Sequence, residues 1–191
     1  MSRSAVRTGV TPADFLMWER TQSGRHEFYR GEIFAMAGGS PRHAALSARV
    51  ARALGVALGR DCEVFSSDLQ IGLASGQHYV YADATVVWGA LRLQSGTKDV
   101  VENPTIVVEV LSPSTEEYDR GLKWEGYRAL ASLPDYVLVS QKAAMIEHFR
   151  REQDGSWRYR AAAPGERVTL TGGAELDVDA IFDGVFQLAG E

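Results

Sequence analysis

Two acidic residues stand where the surrounding sequence offers them little water. Glu109 follows Ile106, Val107 and Val108 and precedes Val110 and Leu111, while Asp83 lies at the start of the apolar run ADATVVW. An ionised carboxylate in such a strand carries a large desolvation cost unless it is paired or binds a cation. Two acids at the ends of neighbouring strands can converge on one hard cation such as magnesium, which takes oxygen ligands and keeps several waters. Each acid also has a simpler explanation, a strand end that reaches water or caps a nearby helix. Spacing alone does not choose between the two.

Three further residues could join them. Lys123 follows Asp119 at i, i+4 and precedes Tyr127 by the same step. A solvated salt bridge between Asp119 and Lys123 is one reading, worth a few tenths of a kcal/mol. If the helix packs back on the sheet, the Lys123 ammonium can instead reach the carboxylates, where it could hold a phosphate or orient an attacking water. Glu27, in HEFYRGE, is either another metal or water ligand or a solvated acid on a hairpin. His43 falls beside an apolar helical stripe with no second histidine nearby, which reads as a hydrogen-bonded packing residue.

The elements that must position these residues follow from periodicity and punctuation. Thr11-Pro12 and Ser40-Pro41 each place a capping side chain before a proline at the first helical position. The first helix is expected to run to about Thr21. In the second, Leu46, Val50, Leu54, Ala57 and Leu58 recur at helical spacing. HEFYRGEIFA reads as two short strands hinged at Arg30-Gly31, and Cys62–Leu73 and Tyr79–Trp88 read as strands. LRLQSGTKDVVEN is expected to be a polar loop. TIVVEVL reads as a strand too apolar to be exposed on both faces. Thr115, with Glu116 and Glu117 in the first turn, starts a third helix expected to reach about Ala131. DYVLVS is a strand, Met145–Arg150 and Trp157–Arg160 form a meander turning at Asp154-Gly155, and Val178–Phe182 is a short closing helix. This order predicts a mixed α/β (α+β) fold, a central mixed sheet flanked by helices with an added antiparallel meander. Residues 1–10 read as a flexible leader and 11–191 as a single domain.

Bulk properties narrow the function classes. A chain of 191 residues with 45% hydrophobic and 24% charged residues fits one globular domain. A formal net charge of -5 argues against attachment to nucleic acid by bulk positive charge, though not against a local basic groove. With Cys62 as the one cysteine, an internal disulfide and a Cys-rich zinc site are excluded. No apolar run is long enough to span a bilayer, and MSRSAVRTGV lacks the apolar stretch of a secretory signal. A cytoplasmic location is the expectation. There is no phosphate-binding G-x-x-x-x-G-K-[ST] loop, no G-x-S-x-G elbow and no H-E-x-x-H helix.

Several segments together resemble a known family. HEFYRGEIFAMAGGSPRHAALS is similar to the opening block of the Uma-two group of restriction endonucleases, in the PD-(D/E)XK nuclease superfamily. YADATVV resembles its "PDhxhh" strand, and VVEVLSPSTEEYDRGLKWEGYRALASLPDYVLVSQ resembles its block "hhEhhSPSTxxxDxxxKxxxYxxxxhxEYhhh". The likeness spans residues 11 to 186. It implies a restriction-endonuclease-like core with Asp83 and the Glu109-Val110-Leu111 segment at the metal-site positions, so that Asp83, Glu109 and the Val110 carbonyl hold Mg2+ or Mn2+. Leu111 stands where the superfamily motif has its lysine, and that role passes to Lys123 on the following helix. Glu27 matches an acid that the superfamily supplies from its first helical region. Ala82 replaces a proline that is not a ligand, and Ser140 replaces an aspartate, so no role is carried to it.

The resemblance implies a magnesium-dependent endonuclease acting on DNA, with Asp83, Glu109, Lys123 and Glu27 in the catalytic set and a homodimer as an allowed assembly. An RNA-directed or structure-specific nuclease would use the same site. A catalytically inactive nucleic-acid-binding or dimerisation module on the same scaffold fits the acidic net charge, because a fold alone does not establish activity.

Overall fold

A computed structural model describes residues 5–36 and 38–190. In chain order the elements are α1 Pro12–Glu19, β1 His26–Tyr29, β2 Glu32–Ala35, α2 Pro41–Ala57, β3 Cys62–Ser66, β4 Gln70–Leu73, β5 His78–Tyr81, β6 Ala84–Trp88, β7 Val100–Val101 and β8 Ile106–Leu111. They continue as α3 Glu116–Tyr118, a π turn Asp119–Lys123, α4 Trp124–Arg128, β9 Asp135–Ser140, β10 Ile146–Arg151, β11 Trp157–Ala162, β12 Arg167–Thr169, β13 Glu175–Asp177 and α5 Val178–Phe182. The expected mixed architecture is present. Six strands run in the order β11-β10-β9-β8-β6-β3, five in the order β2-β1-β5-β4-β7, and β12 pairs with β13.

In the larger sheet only β8 and β9 are parallel, and the helical segment between them is their crossover. All six residues of β8 are buried. Ile106, Val108 and Val110 face the cluster that includes Leu46, Val50 and Leu54 of α2, whereas Val107 and Leu111 face Ile71, Leu73, Tyr127 and Tyr136. Strand alternation therefore puts Glu109 on the second face, beneath α4 and against the smaller sheet. Each fully buried α2 leucine contributes about 1.5–3 kcal/mol, so the helix is pinned along its whole apolar stripe. Ala57 is the exception in that stripe. The helix ends there and the extended backbone of Leu58 turns that side chain inward while Ala57 stays exposed.

Both N-caps form as expected: Thr11 Oγ1 accepts from the Asp14 amide and Ser40 Oγ from the His43 amide. Arg30 and Gly31 have positive φ of 46° and 92°, which closes β1 and β2 in the two-residue hairpin geometry. Four expectations need correction. The third helix is not one continuous α-helix, because the five-residue π turn interrupts it and α4 ends at Arg128. Tyr79–Trp88 contains strands of two different sheets, and the chain crosses from one to the other at Ala82-Asp83. The loop read as polar contains β7, whose two valines are buried beside β4. Residues 6–10, read as part of a leader, run beside β2: the Val6 and Val10 amides donate to the Ile33 and Gly31 carbonyls, and Ile33 donates back to Arg7. Residues 1–4 of that segment lie outside the described residues. Among the described residues no helix is long and apolar enough to cross a membrane.

Candidate active site

The crossing from β5 to β6 leaves Asp83 at the seam between the two sheets. It pairs with no strand partner there, and its side chain takes over that function. Asp83 Oδ2 accepts the main-chain N–H of Val110 at 2.7 Å, and Oδ1 accepts from Ser47 Oγ at 3.1 Å. His43 Nε2 lies 3.4 Å from the same Oδ1. His43 and Ser47 are one helical turn apart on α2, so one helix face holds one carboxylate oxygen and one strand holds the other. Burial raises the Asp83 pKa, but the hydrogen bond and charge of His43, the Val110 amide and the Lys123 charge together hold it below the ordinary carboxylate value.

Lys123 is the hub on the other side of β8. Its ammonium donates to the Tyr81 carbonyl at 2.9 Å and to Glu109 Oε1 at 3.1 Å. It also lies 3.1 Å from Glu27 Oε1 and 3.4 Å from Asp119 Oδ1. Tyr127 donates its hydroxyl to Glu109 Oε1 at 2.9 Å. Glu27, Glu109, Asp119 and Lys123 are all at most 4% exposed. Glu27 is thus no solvated hairpin acid, and the Asp119–Lys123 pair is no solvated salt bridge. The π turn that carries Asp119 and Lys123 keeps both side chains inside the protein, a device recurrent at functional sites.

Electrostatics follow from burial. Desolvation pushes the Glu109 carboxyl well above its ordinary range, only partly offset by Lys123. Burial likewise raises Asp119 against the opposing pull of Lys123. The Lys123 ammonium is opposed by burial but held well above its ordinary pKa by Glu109, Glu27 and Asp119. It stays charged, and three neighbouring acids share that one cation.

These groups open on a cavity of about 170 Å³ whose lining includes Glu27, Asp83, Glu109, Val110, Asp119, Lys123 and His43. All five residues anticipated from the sequence therefore reach one cavity. Sequence reasoning missed His43 and Ser47 as supports of Asp83, and Tyr127 as a partner of Glu109. It noted the 119, 123, 127 spacing but had no signal for its burial.

The donor set fits a hard divalent cation in chemistry and in charge. The side chains of Asp83 and Glu109 belong to residues that line one cavity together with Val110, and acids outnumber the ammonium there, while magnesium commonly binds through one or two carboxylates and otherwise keeps its waters. Among the described residues no three His, Cys, Asp or Glu side chains form a ready ligand cage.

The chain is similar to several known proteins. An uncharacterized protein of Synechocystis sp. (strain ATCC 27184 / PCC 6803 / Kazusa), slr1290, is 37% identical over 186 residues, covering 96% of this chain and 97% of the relative. A second from the same organism, sll1609, is 32% identical over 149 residues, covering 78% and 84%. A solved structure from Anabaena variabilis, described as a "putative nuclease belonging to DUF820", superposes with a TM-score of 0.74 at 14% identity, over 92% of this chain and 99% of that one. That likeness concerns the fold. Residues 12–186 match the family model Uma2, described as "Putative restriction endonuclease", and the chain belongs to that family.

Proposed function

We propose that this protein is a divalent-metal-dependent nuclease that hydrolyses phosphodiester bonds in DNA. The observation that carries the reading is the convergence of Asp83 with the buried Glu109, Glu27 and Lys123 on one cavity, in a chain of the Uma2 family. Asp83, Glu109 and the Val110 carbonyl would hold Mg2+ or Mn2+. Such a cation supplies Lewis acidity, lowering the pKa of water and stabilising charge on a phosphoryl oxygen.

The chain's own residues do the positioning. Val110, Ser47 and His43 fix both oxygens of Asp83, so the carboxylate cannot rotate without losing a hydrogen bond. Tyr127 and Lys123 converge on Glu109 Oε1 and so set the direction of the remaining oxygen. Lys123 presents a permanent positive charge to the cavity, where it would orient a phosphate oxygen or the attacking water. Glu27 anchors that ammonium from β1. The lysine has left the β8 position occupied by Leu111, and the π turn brings it back to the same acids from the following segment.

The test is incubation of purified protein with supercoiled plasmid, labelled duplex and labelled RNA, in Mg2+, in Mn2+ and in EDTA. DNA cleavage that needs a divalent cation and disappears in Asp83→Ala and Glu109→Ala is the expected result. Cleavage that persists in both variants overturns the reading, and cleavage of RNA alone moves the substrate to RNA.

A further inference from the structure

The π turn is the least self-sufficient part of the site. Its five residues, Asp119–Lys123, hold one residue more than a regular helical turn needs. Closing it into a continuous α-helix would rotate the segments on its two sides by about 100° relative to each other. Lys123 and Tyr127 could not then both stay on Glu109 while α3 kept its place. Local propensity favours the continuous helix, so contacts from elsewhere in the fold must hold the turn open.

Two neighbouring strands supply those contacts. From β9, the fully buried Tyr136 donates its hydroxyl to the Asp119 carbonyl at 2.9 Å. From β10, Glu147, only 6% exposed, accepts from the Arg120 guanidinium through Oε2 and from the Tyr159 hydroxyl through Oε1 at 2.6 Å. Glu147 is paired with Leu138, two residues past Tyr136 on β9, so Tyr136 and Glu147 project from one face of the sheet. Arg120 also donates to Glu116 at 3.1 Å, one helical turn earlier, and so ties α3, the π turn and β10 together. The first two residues of the turn are thus held from the sheet, one by its carbonyl and one by a charge-assisted pair.

We propose that Glu147 and Tyr136 are positioning residues for Lys123: by holding the Arg120 side chain and the Asp119 carbonyl they keep the π turn open and the ammonium in the cavity. Both act through the turn and not by contact with the reacting groups. Arg120 and Lys123 leave the same turn for opposite partners, Glu147 on β10 and Glu109 on β8, so releasing one frees the other. The effect on cleavage rests on the nuclease reading above, whereas the hold on Lys123 stands without it.

The chain has three lysines, of which Lys98 and Lys142 are exposed and Lys123 is buried. Acetylation of the folded full-length protein by an N-hydroxysuccinimide ester, read by mass spectrometry, therefore reports opening around Lys123, with Lys98 as the internal reference. Glu147→Leu and Tyr136→Phe should each raise the rate at Lys123 by roughly 10-fold, as one lost hydrogen bond enlarges a local opening. Glu147→Gln should stay within about threefold of wild type, because its amide oxygen still accepts from Arg120. Val168→Ala, a cavity in the core cluster on the other face of the sheet, should lower the melting temperature and leave Lys123 unchanged. Arg120→Met stands in for Glu147→Leu if a melt shows that the leucine variant has not folded. On plasmid with Mg2+, the two reactive variants should lose kcat and keep KM. Wild-type labelling in Glu147→Leu and Tyr136→Phe overturns the proposal, and so does a glutamine variant as reactive as leucine or a matching rise in Val168→Ala. Raised labelling with kcat unchanged overturns the positioning role in cleavage. A wild-type protein that cleaves no nucleic acid overturns the nuclease reading alone, and the labelling still decides the hold on Lys123.

Discussion

Asp83 accepts the amide hydrogen of Val110 at 2.7 Å, which ties the carboxylate at the seam of the two sheets to the residue directly after Glu109. The bond substitutes a side chain for the ladder contact that β6 would otherwise make, since the β6–β8 register ends at Ala84↔Val108. One hydrogen bond thereby sets the spacing of the two acids.

That bond has a pH signature. The folded pKa of Asp83 lies below its ordinary value of 3.8, so its stabilising contribution is complete above pH 3.8 and is lost as pH falls through the lower folded value. Urea unfolding of wild type and Asp83→Asn should show wild type the more stable at neutral pH, with the gap closing below pH 3.8. A gap that is constant with pH contradicts the assignment.

Lys123→Met leaves Glu27, Glu109 and Asp119 buried without their shared cation, and stability at pH 8 should fall by about 3–5 kcal/mol. Glu109 already has a folded pKa above its ordinary 4.5, so protonation favours the fold at low pH and that advantage is lost as pH rises through the folded value. Without Lys123 the folded pKa rises further. The variant should therefore recover much of its loss at pH 5, and the double variant Lys123→Met with Glu109→Gln should recover part of it at pH 8. Chemical denaturation at the two pH values measures both effects.

Gly126 marks where the crossover segment meets the smaller sheet. A Cβ there would lie 2.7 Å from Leu73 Cδ1 and 3.3 Å from His78 Nδ1. Gly126→Ala should push α4 away from β4 and β5 and cost about 1–3 kcal/mol, the range for overpacking. A melting temperature equal to that of wild type would show that the segment has slack, and that the placement of Lys123 does not depend on this close approach.

His43 and Ser47 hold Asp83 Oδ1 from α2. Replacing both with alanine should lower Mn2+ affinity by roughly 10–100-fold, as for other outer supports of metal ligands, while Ser47→Thr retains the donor and most of the affinity. Calorimetry on the three proteins decides this, and unchanged affinity in the double variant removes these residues from the site.

The acids were conspicuous in the sequence because their anomaly is local, an apolar strand neighbourhood around Glu109 and Asp83, but that neighbourhood suited a strand-end acid equally well, and it was the family resemblance that singled out the pair. Lys123 entered through the family resemblance, since its helical spacing from Asp119 and Tyr127 suited a solvated salt bridge as well. What stayed hidden depends on approach between distant segments. His43 looked like a packing residue because its partner, Asp83, belongs to a strand end that α2 meets only after folding. Glu27 and Asp119 looked solvated because polar neighbours such as Arg30, Glu32, Glu116 and Arg120 surround them in the chain, although their own side chains turn inward. The π turn has no composition signal at all. It is a property of how Asp119 and Lys123 are accommodated beneath the sheet, and propensity alone predicted a continuous helix.

The most direct test of the central claim is the anomalous scattering of Mn2+ in crystals of the wild-type protein. One peak in contact with carboxylate oxygens of Asp83 and Glu109 and with the Val110 carbonyl, with Lys123 beside it, is the predicted result. A well-ordered site without such a peak at saturating Mn2+, or a peak that leaves Asp83 and Glu109 uncoordinated, contradicts it.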